Sequence, residues 1–87
     1  GHVRYLCLDD CDISDVSTLG TVHQLSLRRC IYVTDVSQLG TVHNLSLRGC
    51  LNVTDVSNLG KVHKLDIRDC SLISDISALS DVVHLIT

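Results

Sequence analysis

A chain of 87 residues holds at most one domain, and a globular domain of that length is only marginally able to bury a core. It is 45% hydrophobic yet has only two aromatic residues, Tyr5 and Tyr32, with no Pro, Met, Phe or Trp and with Asp as its sole acidic residue, so the expected core is narrow and filled the same way many times. A net charge of −3 with five neutral His gives no general attraction to nucleic acid or anionic membranes, and no apolar run approaches the roughly 18 residues of a membrane span, so neither partner is expected and the chain reads as soluble.

In chain order the sequence repeats itself. It runs VRYLCLDDCDISDVSTLGT from Val3, VHQLSLRRCIYVTDVSQLGT from Val22, VHNLSLRGCLNVTDVSNLGK from Val42 and VHKLDIRDCSLISDISALSD from Val62. The period is twenty, the first unit is one residue shorter between Cys11 and Ile13, and VVHLIT opens a partial unit at Val82. Self-similarity at this period is the mark of a solenoid and outranks residue-by-residue propensity.

Each unit predicts the same elements. After the opening Val comes L-x-L, in which Leu25 and Leu27 alternate with Ser26. A period of two predicts a short strand with both Leu inward and Ser26 outward. Cys11, Cys30, Cys50 and Cys70 follow, and then T-D-V-S-x-L-G, which has no period of two. Val36 and Leu39 are three apart and can both face inward from one helical turn, for which Thr34 or Asp35, and their counterparts Ser14, Thr54 and Ser74 with their Asp neighbours, are candidate caps. Gly20, Gly40 and Gly60 are expected to end that turn through positive φ.

The unit V-x-x-L-x-L-x-x-C, followed by x-x-V-T-D-V-S-x-L-G, closely resembles the leucine-rich repeat, whose conserved half reads L-x-x-L-x-L-x-x-N or C. The resemblance covers nearly the whole chain, with Val for the first Leu as its departure. It implies an α/β repeat solenoid: a right-handed superhelix with one short parallel strand per coil on the concave face and single 3-10 or α turns on the convex face. The chain is then one array over 1–87, with units at about 3–21, 22–41, 42–61 and 62–81 and a partial unit at 82–87, and no recognisable cap at either end.

Most residues that suggest chemistry fall into columns. Zinc ligands converge on one point, whereas the four column Cys lie about twenty residues apart, hence stacked roughly 4.8 Å apart in parallel directions. Disulfides between neighbours are disfavoured for the same reason. The expectation is buried thiols packed as small hydrophobes with weak S–H donors. Free thiols favour a reducing compartment, so a cytoplasmic location is preferred, with a secreted or cell-surface one left open. Cys7, between Leu6 and Leu8, is expected to be an ordinary exposed thiol. His23, His43 and His63 form a column without carboxylates, expected to be solvated, and His84 falls one position later and outside it. One Asp per turn, at Asp15, Asp35, Asp55 and Asp75, suits capping better than calcium, which needs several oxygens per site. Asn44 and Asn52 open glycosylation sequons that matter only in a secreted chain.

No nucleophile, base and oxyanion donor converge, so no catalytic residues, metal or cofactor are expected. The expected function is non-enzymatic binding of a protein partner on the concave face, through Tyr5, Gln24, Asn44 and Lys64 in one column, Ser26, Ser46 and Asp66 in the next, and Arg28, Arg48 and Arg68 in a third. An Arg ladder suits an acidic partner, although Asp9, Asp66 and Asp69 at its borders can neutralise it. The alternative expectation is end-to-end self-association into fibres through uncapped ends at Val3, Leu6, Leu8, Leu85 and Ile86. A start at Gly1 is expected of a processed chain or of a segment cut from something longer.

Overall fold

A coil too narrow to hold its own sheet must find partners for its backbone groups on the coils above and below. The computed structural model describes residues 4–87 and shows how the chain does this. Strands β1 (Tyr5–Cys7), β2 (Gln24–Ser26), β3 (Asn44–Ser46), β4 (Lys64–Asp66) and β5 (His84–Ile86) form one sheet in sequence order. All four pairings are parallel and unshifted, so Leu6, Leu25, Leu45, Leu65 and Leu85 stand side by side. The backbone ladder runs past the strands: Leu27 N donates to Ser46 O at 2.9 Å and Arg29 N to Arg48 O at 2.8 Å. The result is a repeat solenoid of the leucine-rich-repeat type, 34 × 25 × 17 Å overall. Val3, one of the expected end residues, lies outside the described residues.

The inward columns build the core. Val22, Val42, Val62 and Val82, the Leu of each L-x-L in the central coils, and Val33, Val53, Val36, Val56, Leu39, Leu59 and Leu79 are all buried. Within the column of Val16, Val36, Val56 and Ile76 burial fails only in the fourth unit: the three Val are each 1% exposed, but Ile76 is 43% exposed. Leu6, Leu8, Leu85 and Ile86 at the two ends are likewise half-buried.

On the convex side the turns are single 3-10 turns, η1 (Ser37–Leu39), η2 (Ser57–Leu59) and η3 (Ser77–Leu79), and there is no α-helix among the described residues. The shorter first unit makes only a hydrogen-bonded turn there, Leu19 N to Val16 O at 3.0 Å. Of the two candidate caps, Asp is the one used. Asp15, Asp35, Asp55 and Asp75 each accept from the backbone N–H two residues on, at 2.9 Å every time. Those four carboxyls are held below the usual range by the hydrogen bonds from Ser17, Ser37, Ser57 and Ser77. The bond falls one residue earlier than in an ordinary N-cap, since Val36 occupies the cap position and turns inward.

The glycine expectation is corrected. Gly40 and Gly60 have φ of −65° and −63°, ordinary right-handed values. They are glycine because the next coil presses on them: a Cβ on Gly20 or Gly60 would lie 2.5 or 2.6 Å from the carbonyl oxygen of Gln38 or Ala78, and Gly40 faces Asn58 in the same way. Positive φ occurs elsewhere, in the turn just after each strand, at Asp10, Arg29, Gly49 and Asp69, with φ of 62°, 60°, 75° and 62°. Three of those four residues carry side chains and accept the cost of a left-handed backbone, of order 1–3 kcal/mol each. Ser80 stands where the other units have Gly, at φ −61°, with no turn packed behind it.

Gly40→Ala is expected to lower unfolding stability by about 2 kcal/mol, the usual size of an overpacking strain, whereas Ser80→Ala should change it by less than about 0.5 kcal/mol. Urea titration of both variants checks this, and equal effects would discard the close-approach account.

Candidate functional site

Parallel stacking turns each outward strand position into a row across the concave face. The rows are Tyr5, Gln24, Asn44, Lys64 and His84, then Cys7, Ser26, Ser46, Asp66 and Ile86, as the register dictates. All of them but Cys7 and His84 line an open groove of about 310 Å³ that draws on all five strands and on Arg28 and Arg68. Of the ten expected partner-binding residues, all but Arg48 line it. Tyr5, 61% exposed, stands at one end of it.

The Arg ladder is not uniform. Arg68 grips Asp66, two residues earlier on the same face, with Nη2 donating to Oδ2 at 2.8 Å and Nε to Oδ1 at 3.0 Å. Asp66 is only 8% exposed, and the Arg68 guanidinium holds its carboxyl below the usual range despite that burial. Arg48 makes a looser contact to Asp69, 3.4 Å from Nε to Oδ2. Arg28 has no ion pair among the described residues. The carboxylate beside it, Asp9, is engaged otherwise: its Oδ1 accepts from the Ser26 hydroxyl at 2.6 Å and from Arg28's own backbone N–H at 2.9 Å. Burial acts to raise the Asp9 carboxyl, but those hydrogen bonds outweigh it and hold it low. Two buried polar atoms in the groove have no partner, Arg28 Nε and Ser46 Oγ. Arg29, beside the ladder but in the turn, pairs outside the groove with Asp10 at 2.6 and 2.8 Å.

Charge is therefore divided by face. Arg28 and Lys64 remain as unpaired cations in the groove, while Asp15, Asp35, Asp55 and Asp75 run along the convex side. Among the described residues no group of three or more His, Cys, Asp or Glu is placed to hold a metal ion, and no helix is long and apolar enough to cross a membrane.

The thiol column forms the expected ladder, with a regular acceptor. Cys30, Cys50 and Cys70 Sγ donate to the carbonyls of Leu8, Leu27 and Leu47 on the preceding coil, at 3.0, 2.9 and 2.9 Å. Burial pushes the Cys50 thiol up to about 12 and raises Cys30 and Cys70 as well, so these sulfurs stay protonated and unreactive. All five Cys are free, and Cys7 is exposed. The imidazoles do more than line up. His23, His43 and His63 stack face to face at 4.7 and 4.6 Å, with interplanar angles of 10° and 17°. His84 joins them, contrary to expectation, by turning its ring edge-on to His63 at 5.4 Å. Its place one residue later, on β5 itself, explains the 76° change of plane.

Sequence reasoning placed Asp66 and Asp69 at the border of the Arg ladder as neutralising groups, and Asp66 does pair with Arg68 and Asp69 with Arg48, but it did not say which Arg each would take. It also missed the unpartnered atoms of Arg28 and Ser46, for which the sequence holds no signal. No protein-family model matches the chain, and neither does any curated protein.

Two outcomes follow. Iodoacetamide should label Cys7 quickly in the native chain and leave Cys30, Cys50 and Cys70 unlabelled until denaturant is added, as peptide mass mapping will show; rapid native labelling of Cys50 would contradict the thiol ladder. Because the Asp66 carboxyl is depressed, its contribution to stability is full above the ordinary Asp pKa of about 3.9 and is lost as pH falls through the lower folded value. Asp66→Asn should therefore flatten the fall in urea stability between about pH 5 and pH 3, and an unchanged slope would mean that the clamp contributes nothing.

Proposed function

We propose that the chain is a non-enzymatic protein–protein interaction scaffold that takes its partner on the concave β face. The observation that supports this reading is the groove, an uncovered sheet surface to which every coil contributes side chains in register. A face of that kind presents many contacts in fixed positions at little ordering cost, because the backbone is already held by the coils on either side. Polar residue types run along the stack in rows, whereas an active site needs different residues meeting at one place. The unpaired Arg28 and Lys64 favour a partner that brings acidic groups.

A second reading, end-to-end self-association, draws on the half-buried Leu6, Leu8, Leu85 and Ile86 and on the exposed Ile76. The glycine column weighs against it. A coil added behind the fourth unit with the same packing would press a turn carbonyl on Ser80 as Gln38 O presses on Gly20, where a Cβ would sit 2.5 Å away. The concave face carries no such obstacle, so it takes precedence.

Peptides selected from a random library on the immobilised chain test the first reading. Replacing Gln24, Asn44 and Lys64 together with Ala is expected to weaken the selected peptides about tenfold or more, while Gln38→Ala with Asn58→Ala on the convex side leaves them unchanged. Equal losses from the two variants, or no selected binders, would reject it. Sedimentation velocity at rising concentration should show one species of constant size; open-ended growth would put self-association first.

A further inference from the structure

We propose that Arg28 and Ser46 form a subsite for a carboxylate side chain of the partner, an inference that rests on the concave face being the binding face. Three observations converge on these two residues. Arg28 is the one rung of its ladder without a carboxylate, because the nearby Asp9 is engaged with the Ser26 hydroxyl and a backbone N–H. Ser46 is likewise the one polar residue of its row without a bond on β2 to β4: Ser26 donates to Asp9, and Asp66 is held by Arg68. Both residues line the same groove from adjacent coils, and the Nε of one and the Oγ of the other are buried without a hydrogen-bond partner among the described residues.

The chemistry of the missing partner follows from what these atoms can do. A guanidinium N–H can only donate, and a hydroxyl beside it satisfies the same ligand by donating too, so the absent group is an acceptor. The guanidinium charge favours an anionic acceptor, and its planar fork matches a carboxylate through two parallel bonds. Asp66 lies next to Ser46 in its row, and Asp9 borders Arg28, so a doubly charged phosphate would meet two carboxylates at close range. A singly charged carboxylate fits the single unpaired guanidinium better. The groove of about 310 Å³ that Arg28 lines has room for an Asp or Glu side chain beside it. Binding then supplies an acceptor to two groups that make no hydrogen bond to the described residues.

The test uses the whole chain, with arginine Nε–Hε signals read by nitrogen-15 NMR, and three capped tripeptides as probes: glycine-glutamate-glycine and its glutamine and phosphoserine counterparts. The expected result is a saturable shift of the Arg28 signal with the glutamate peptide, a still Arg68 signal, and no response to the glutamine peptide. Ser46→Ala, which deletes a hydroxyl with no partner in the fold, should weaken binding about fivefold, the worth of one hydrogen bond. Arg28→Lys, which keeps the charge and loses the fork, should weaken it about tenfold. Equal shifts at Arg28, Arg48 and Arg68, an immobile Arg28, or a stronger response to the phosphoserine peptide would overturn the proposal. None of those results would touch the concave-face reading, which stands or falls on Gln24, Asn44 and Lys64.

Discussion

One spacing governs this molecule, the separation of about 4.8 Å between parallel, hydrogen-bonded strands. No coil is wide enough to satisfy its own strand, so N–H groups at alternate residues donate to carbonyls of the coils on either side, as Gln24 does to Arg4 and Leu27 and Arg29 do to Ser46 and Arg48. Once that spacing is imposed, every other row has to live with it. The thiols of Cys30, Cys50 and Cys70 fit because an S–H group is small enough to sit inside the stack and still reach the carbonyl of the preceding coil. The imidazoles fit because rings 4.6 to 4.7 Å apart can lie face to face. The convex turns that have another turn packed behind them, at Gly20, Gly40 and Gly60, fit only with glycine, since 2.5 to 2.6 Å between a Cβ and a carbonyl oxygen is too close for any side chain.

The same spacing shapes the electrostatics. Like charges placed a coil apart repel by about 1 kcal/mol per pair in water, a modest cost when the groups are solvated. The convex Asp row accepts that cost and recovers part of it by capping each turn. The Arg row resolves it differently at each rung, with a tight clamp at Arg68, a loose contact at Arg48 and no ion pair at Arg28. Breaking the repeat in this way turns a uniform ladder into one distinguishable position, and a distinguishable position is what selective recognition needs. Copying a unit builds the scaffold; departures from the copy make its rungs differ.

Departures at the ends of the stack follow the same logic. The first unit lacks one residue before Ile13 and forms a turn where the others form 3-10 helix. The fourth unit exchanges Gly for Ser at position 80 and leaves Ile76 in the open.

The sequence by itself determined the period, the inward rows of Val, Leu and Cys, the outward rows of the concave face and their register. All of these are properties of a single unit, and copying the unit carries them along the stack. What it could not determine are relations between units. Gly20, Gly40 and Gly60 were expected to serve backbone freedom and instead serve close approach, which depends on where the next coil's carbonyl lies. The positive φ falls on Asp10, Arg29, Gly49 and Asp69, and while Gly and Asp tolerate that region, Arg29 gives no sign of it, because the strand-to-turn corner is set by packing. His84 joins its stack by a ring rotation that no spacing rule anticipates. The unpaired state of Arg28 depends on how Asp9 gives one oxygen, Oδ1, to two donors some twenty residues away. Only the tertiary structure decides such contests, since they are settled by distances across coils and by side-chain rotation.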